Sequence, residues 1–492
     1  MSDNATPRHL MLIDGQMCQA EAGEWITSVD PATEEPLGLV PRAREADVSR
    51  AVTAAERASV DWERVGVTER ARLVRELARR STARADELLE IEVRDTGNTR
   101  RRMTKDVAMA TDLMEYFAGV ALEQKGETIP ASATGLHFTL RQPYGVVGRI
   151  LAFNHPFMFA GSRLAAPLIA GNSVILKPSE ESPISTTILA ELCQDLFPPG
   201  VVSILTGTGA EAGASLVADP RVKRLTFIGS VPTGREIQRV AAQSAVKHVS
   251  LELGGKNPLI VFDDADPEAV ANAAVAAMNF GHQGQSCGST SRMLIHDAIY
   301  DDVVERVAAK IAALKVGDPL SDNSDMGPLN SARHLERVRG HIQDARDDGA
   351  RLLTGGGRPS GEQFSRGYWL EPTFFADVTP DMRLFTTEVF GPVLAASKWS
   401  DNSELLAMSN GVDYGLTASI WTNDLRRALV TAKLVRAGYV WINGTSTHHL
   451  GTSFGGVKQS GLGSEEGLEE LYSFTEQKTI NVVLPGELPM RI

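Results

Sequence analysis

From Tyr144 onward the chain alternates short apolar runs with stretches of helical spacing, which restricts it to a narrow class of folds. The runs at 145–152, 173–177, 201–205, 224–228 and 248–251 are too short for helices. Parallel strands must be joined by a crossover of a dozen or more residues, usually a helix, so the pattern predicts a parallel sheet covered by helices. Further runs at 258–262, 292–296, 393–398, 418–421 and 439–443 are again interleaved with helix patterns and predict a second α/β unit. A chain of 492 residues has room for two or three such units.

Ahead of Tyr144, residues 10–13 and 18–20 read as a small strand pair and 30–33 as a turn. Helices are predicted over 47–64, with Val48, Val52 and Ala55 on one face, over 68–94, with Leu73, Leu77, Leu88 and Ile91, and over 106–122. The run Arg100, Arg101, Arg102 reads as a solvated helix face. Strands at 137–141 and 479–484 lie far in sequence from either unit. An uncovered strand edge invites pairing with another chain, so subunit association is expected.

Charge and cysteine usage exclude several classes of function. Lys and Arg total 49 against 62 Asp and Glu, a net charge of −13, the wrong sign for a surface that gains affinity by neutralising phosphates. Nucleic acid is therefore not expected as a partner. The three cysteines, Cys18, Cys193 and Cys287, are widely spaced and lack the clustering of a zinc site, so no metal is expected. No apolar stretch approaches about 18 residues and no basic-then-apolar leader opens the chain, so neither membrane nor secretion is expected and a cytoplasmic location is.

Two segments carry candidate chemistry. Cys287 stands in a glycine-rich turn, FGHQGQSCG, where backbone N–H groups can face a bound group; a thiol of pKa about 8.5 lowered in such surroundings is a nucleophile. Taken alone, a single cysteine is more often a small buried hydrophobe. Glu252 ends an apolar run before two glycines, where a charge is costly unless paired or used. The dinucleotide fingerprint G-x-G-x-x-G is missing, because Gly207, Gly209 and Gly213 have one residue too many between the last two. Helix starts there and at Gly229–Ser230 can still present amides to a phosphate.

Together these segments resemble the aldehyde dehydrogenase superfamily, in the family's order from about residue 10 to the C-terminus. The matching pieces are FNHP from Phe153, LKPSE from Leu176, FIGS from Phe227, LELGGK from Leu251, GQSC from Gly284, EVFGP from Glu388, WING from Trp441 and FGGVKQSG from Phe454. The resemblance implies an α/β aldehyde-dehydrogenase-like fold: a Rossmann-like NAD-binding domain at 1–122 and 144–254, a catalytic domain at 255–459, and a small β oligomerisation element with the C-terminal tail at 123–143 and 460–492. It also implies a homodimer or homotetramer.

By the same resemblance Cys287 is the nucleophile, Asn154 and the Cys287 backbone N–H stabilise the oxyanion, and Glu252 activates the water that hydrolyses the thioester. Lys177 and Glu180 would hold the adenosine ribose, Ser230 a phosphate, Gly209 the backbone beside the adenine, and Glu388 with Phe390 the nicotinamide ribose. Leu151, Phe153, Phe227, Gly229, Thr233 and Leu253 complete the cofactor set. Glu180 favours NAD over NADP, because a carboxylate accepts a hydroxyl but repels a phosphate. Ser464, where the family usually has arginine, cannot make that residue's ion pairs, so altered wiring of the tail is expected. Ser453 stands where proline is common.

The substrate pocket implied by the alignment is Met109, Leu113, His155, Phe159, Ser162, Gln285, Ser286, Gly288 and His448. It contains no Arg or Lys, which favours an uncharged and preferably aromatic aldehyde over a semialdehyde acid. Two other readings compete: a relative that passes the acyl group to coenzyme A, against which Glu252 counts, and a catalytically silent structural member, against which the joint presence of Cys287, Glu252, Asn154 and Glu388 counts.

Overall fold

The computed structural model describes residues 6–483. Its frame is two large sheets. The first has eight strands in the order Gln16–Cys18, Met11–Ile13, Val202–Ile204, Ser173–Lys177, Val146–Ile150, Arg224–Ile228, His248–Glu252 and Gly461–Leu462. Its five central strands are parallel, and four of them, Val146–Ile150, Ser173–Lys177, Val202–Ile204 and Arg224–Ile228, are buried along their whole length, as strands covered on both faces are. Helix Pro156–Ala170 lies against one face, with Leu164, Leu168 and Ile169 in a cluster that also takes Val147, Val174 and Leu176. Full burial of each such side chain contributes about 1.5–3 kcal/mol.

The second sheet has seven strands in the order Arg351–Thr354, Thr373–Ala376, Val393–Trp399, Arg292–His296, Pro258–Val261, Thr417–Trp421 and Tyr439–Ile442, parallel except for the first. A third sheet pairs strand Thr475–Val483 with Gly135–Pro143, which in turn pairs with Thr128–Ile129. The two isolated strands expected at 137–141 and 479–484 thus pair with each other; Leu484 lies outside the described residues, as do 1–5 and 485–492 of the outer segments.

Some elements differ from expectation. The single helix predicted over 68–94 is two, Val67–Ala83 and Ala85–Thr96, broken at Arg84, whose φ of −110° and ψ of 21° leave the helical region. Arg84 there pairs with Glu87 and Glu191. The third helix runs Arg100–Gly119, starting at the arginine run rather than at 106, because Thr99 caps the N-terminal end in extended geometry. A hairpin of Trp25–Val29 with Pro36–Pro41 was not foreseen, since prolines at its second strand obscure the pattern. The tail does not stand apart, because Gly461–Leu462 hydrogen-bonds antiparallel to His248–Glu252 as an edge of the first sheet.

Candidate active site

The first sheet's parallel strands end at one rim: Lys177, Ile150, Ile228 and Glu252 are the last residues of four strands. Ligands in open α/β sheets bind in the crevice outside such strand ends. Here that crevice is a cleft of about 990 Å³, lined by Asn154, Glu252 and Cys287 and by Leu151, Phe153, Lys177, Glu180, Gly209, Phe227, Gly229, Ser230, Thr233, Leu253, Glu388 and Phe390. Every residue expected at the chemistry or the cofactor therefore faces one space.

At one end Lys177 Nζ lies 3.0 Å from Glu180 Oε2, and the Gly209 N–H donates to Glu180 Oε1 at 3.2 Å. Burial lowers the Lys177 pKa, with Glu180 opposing. A Cβ on Gly209 would find Glu180 Oε1 at 3.9 Å and otherwise open cleft. The turn Gly209–Gly213 is an irregular helical turn capped by Thr208, which accommodates the extra residue in the glycine spacing. Midway, Ser230 caps the 14-residue helix Val231–Ser244, its Oγ accepting the Thr233 N–H at 3.4 Å. Free amides at that N-terminus suit a phosphate.

At the other end Glu388 Oε1 accepts the Gly255 N–H at 2.9 Å. Burial pushes the Glu388 carboxyl up to about 7 against the pull of that N–H and of Lys256. A Cβ on Gly254 would fall 1.8 Å from Glu388 Oε2, so a side chain there would displace that carboxylate. Two carboxylates and a helix N-terminus lining one cleft fit a dinucleotide.

Cys287 sits in the loop after the short helical turn Phe280–His282. Gly284 has φ +66°, and a Cβ there would meet the Gly391 carbonyl oxygen at 2.2 Å, so the turn needs glycine. Asn257 Nδ2 donates to the carbonyls of Cys287 at 2.7 Å and Ser289 at 2.9 Å, while its Oδ1 accepts the Thr417 N–H at 3.0 Å. One side chain thus fixes the Cys287 loop to the second sheet.

The expectation of a lowered thiol pKa is corrected. Burial pushes the Cys287 thiol up to about 12, helped by the charges of Glu252, Glu388 and Glu466, and the Gly288 N–H only partly offsets them. Glu252 is buried with neither oxygen hydrogen-bonded. Burial holds its pKa well above the usual carboxylate range; Glu465 adds to that push, Arg163 opposes it, and Glu466 and Glu470 reinforce it. Asn154 is buried, with its backbone oxygen accepting Asn98 Nδ2 at 2.9 Å.

None of the nine expected substrate-pocket residues is among those lining the cleft; of them, His155 and Phe159 meet edge-on at 5.5 Å, and His448 stacks on Tyr439 at 5.7 Å. Met109, Ser286 and Gly288 are partly exposed, and Gly288 has open space where a Cβ would go. Three others are corrected. Leu113 packs in the core, the Ser162 hydroxyl donates to the Met158 carbonyl, and Gln285 is a brace, donating to Gln283 Oε1 at 2.7 Å and accepting the Asn330 N–H at 3.1 Å. The polar groups of Ser162 and Gln285 are used within the protein.

A group of buried ionic residues escaped the sequence reading. Arg149 Nη2 lies 2.8 Å from Glu465 Oε1, and Arg163 Nε lies 2.8 Å from Glu465 Oε2; Glu466 and Glu470 complete the set. The tail is thus wired to helix Pro156–Ala170 without an arginine at 464, through the two acidic residues that follow it. Charged residues inside otherwise apolar segments, such as Arg163, were the available signal. Ser453 is also paired, its hydroxyl donating to Glu469.

The profile of the family described as "Aldehyde dehydrogenase family" matches residues 18–480. The chain is 42% identical over 479 residues to Aldehyde dehydrogenase tropH of Talaromyces stipitatus, covering 94% of this chain and 93% of that protein. It is 39% identical over 481 residues to a hydroxyisobutyraldehyde dehydrogenase of Mycolicibacterium austroafricanum, covering 98% and 94%. Among solved structures, the NAD+ complex of an aldehyde dehydrogenase from Bacillus cereus superposes with TM-score 0.94 at 35% identity, covering 97% of each chain.

Proposed function

The chain belongs to the aldehyde dehydrogenase family, and we propose that it oxidises an uncharged, preferably aromatic aldehyde to the carboxylic acid with NAD, through a thioester on Cys287. The observation that carries this reading is Glu252, a buried carboxylate with no hydrogen-bond partner in the same cleft as the cysteine. A buried unpaired acid costs stability and is retained where it moves protons.

NAD bound in the cleft supplies the acceptor for the aldehyde hydride. Burial raises the Cys287 thiol pKa, and its proton passes to solvent as the sulfur bonds to the aldehyde carbon. The Asn154 amide and the Cys287 backbone N–H hold the developing oxyanion. After oxidation the carbonyl carbon is a thioester, and Glu252 draws a proton from the water that attacks it. The C–S bond breaks and the thiol and acid are released. A coenzyme A acceptor needs no such base, so Glu252 favours hydrolysis.

Glu180 supports NAD over NADP, since its carboxylate stands at the cleft end where the ribose 2′-hydroxyl is expected. The exposed Leu136, Leu140, Val482 and Val483 on the third sheet support a homodimer or homotetramer, checked by sedimentation. No helix of the described residues is long and apolar enough to cross a membrane, and all three cysteines are free, which suits a reducing cytoplasm.

The test is NADH formation with benzaldehyde, hydroxybenzaldehydes, hexanal, betaine aldehyde and succinate semialdehyde, with the product identified and coenzyme A present or absent. Free acid formed without coenzyme A is expected. Absolute dependence on coenzyme A, or no turnover of any aldehyde, overturns the reading, and a clear preference for succinate semialdehyde or betaine aldehyde overturns its uncharged-substrate part.

A further inference from the structure

Next in sequence to Asn154 stands His155, part of a buried group with Asp106 and His282. His155 Nδ1 is 2.5 Å from Asp106 Oδ2, and His282 Nε2 is 3.4 Å from the same oxygen. The three come from separate places: Asp106 from helix Arg100–Gly119, His155 from the residue after Asn154, and His282 from the turn leading to Cys287. Their carboxylate and rings are at most 10% exposed. Burying a carboxylate and two imidazoles where apolar side chains would pack costs stability, so the arrangement calls for a use.

The geometry limits what that use is. Two ligands of a shared tetrahedral ion, each about 2.0–2.2 Å from it, would stand well over 3 Å apart, so the 2.5 Å contact is a hydrogen bond rather than half of a metal site. A carboxylate on Nδ1 fixes the proton there, and in the neutral ring Nε2 then carries a lone pair. Nε2 of His155 has no hydrogen bond among the described residues, and the His155 ring leads directly from Asn154, whose amide serves the reacting carbon. The pair therefore offers an oriented acceptor one residue along the chain from Asn154, which lines the cleft.

We propose that Asp106 and His155 form a hydroxyl-recognition site, so that the preferred substrates are aldehydes carrying a hydroxyl group, foremost hydroxylated aromatic aldehydes. The substrate hydroxyl donates to His155 Nε2, Phe159 packs edge-on beside the imidazole, and Asp106 is a positioning residue that holds the tautomer and ring. His448, another of the expected substrate-pocket residues, is held by Glu466 at 2.8 Å. The proposal rests on the aldehyde-oxidation reading and adds to it the feature of the substrate that is recognised.

The experiment compares kcat/KM for the three hydroxybenzaldehydes, their methoxy counterparts and benzaldehyde, in wild type, His155→Phe, Asp106→Asn and Asp106→Glu. A methoxy group keeps bulk and oxygen but cannot donate. At least one hydroxy isomer is expected to exceed its methoxy partner and benzaldehyde by about tenfold or more, as loss of one buried hydrogen bond would give. That ratio should fall about tenfold in His155→Phe and Asp106→Asn, with partial recovery in Asp106→Glu. Equal treatment of every pair by wild type overturns the proposal whatever the variants do, and so does a ratio that survives His155→Phe. If the methoxy and unsubstituted aldehydes are oxidised well, aldehyde oxidation stands while hydroxyl recognition falls; if no aldehyde is oxidised, both fall.

Discussion

Arg163 Nε lies 2.8 Å from Glu465 Oε2, with both side chains almost wholly buried. The same guanidinium opposes the rise in the Glu252 pKa that burial and Glu465 produce. One arginine on the helix that begins just after Asn154 thus holds the tail and moderates the proposed base.

Replacing that arginine tests both roles. Arg163→Met leaves Glu465, Glu466 and Glu470 short of a buried counter-charge, an imbalance worth about 3–5 kcal/mol when one partner of a buried pair is removed. A lower melting temperature is expected, and in whatever folds the acid limb of kcat should move to higher pH, because Glu252 loses a cation that favours its ionised form. An unmoved limb would separate the two roles.

Glu252→Gln should stall after the first half-reaction, giving a burst of NADH close to one equivalent per active site and an enzyme heavier by the acyl group in mass spectrometry. Steady turnover should drop about 10²–10⁴-fold, the usual contribution of a positioned base. In the wild type, hydrolysis needs the ionised carboxylate, and its pKa is held well above the usual range. Turnover should therefore keep rising with pH beyond the ordinary carboxylate range.

Glu180→Ala removes the carboxylate that Lys177 and the Gly209 N–H engage. Catalytic efficiency with NAD should fall about tenfold, as for a lost charge-assisted hydrogen bond. The released Lys177 should then draw the 2′-phosphate of NADP, raising the NADP to NAD efficiency ratio at least about tenfold. Equal efficiencies in wild type would show that the carboxylate does not discriminate.

Glu92 is fully buried, and each of its oxygens lies 3.2 Å from the Phe157 N–H at the start of helix Pro156–Ala170. Burial pushes its pKa to about 8 against the pull of Ser185 and that N–H, with Asp106 and Asp95 adding to the rise. The folded state therefore keeps a proton that the unfolded chain releases above about 4.5, and Glu92 costs progressively more stability as pH rises towards about 8. Glu92→Gln should be near neutral at about pH 5 and more stable than wild type by about 1–3 kcal/mol at about pH 8, seen in melting temperatures at the two pH values.

The strands Ser173–Lys177, Arg224–Ile228 and Arg292–His296 coincide with the apolar runs in the sequence, because a parallel strand buried on both faces is a continuous apolar segment bounded by turns. The break at Arg84 was hidden, since both halves keep helical periodicity and only the pairing of Arg84 with Glu87 and Glu191 marks the bend. In the site, Cys287, Glu252 and Asn154 stand in short motifs that carry the family resemblance, and it was the resemblance rather than their local surroundings that singled them out. Arg149 and Glu465 could not be paired from the sequence, because their sequence separation of 316 residues leaves each looking like an isolated charge. Asp106 and His282 were missed for the same reason, although His155 between them was found.

The strand that ends in Glu252 has as its outer neighbour Gly461–Leu462, a piece of chain made after the whole second sheet. During synthesis that strand keeps an open hydrogen-bonding edge until the ribosome has delivered nearly the full polypeptide. The nascent first sheet therefore cannot finish ahead of the second, and this late closure of a long loop slows folding and leaves the edge exposed to mispairing while it waits. A chain released early, before residue 461, would carry Glu252 and Cys287 yet lack the strand that pairs beside Glu252.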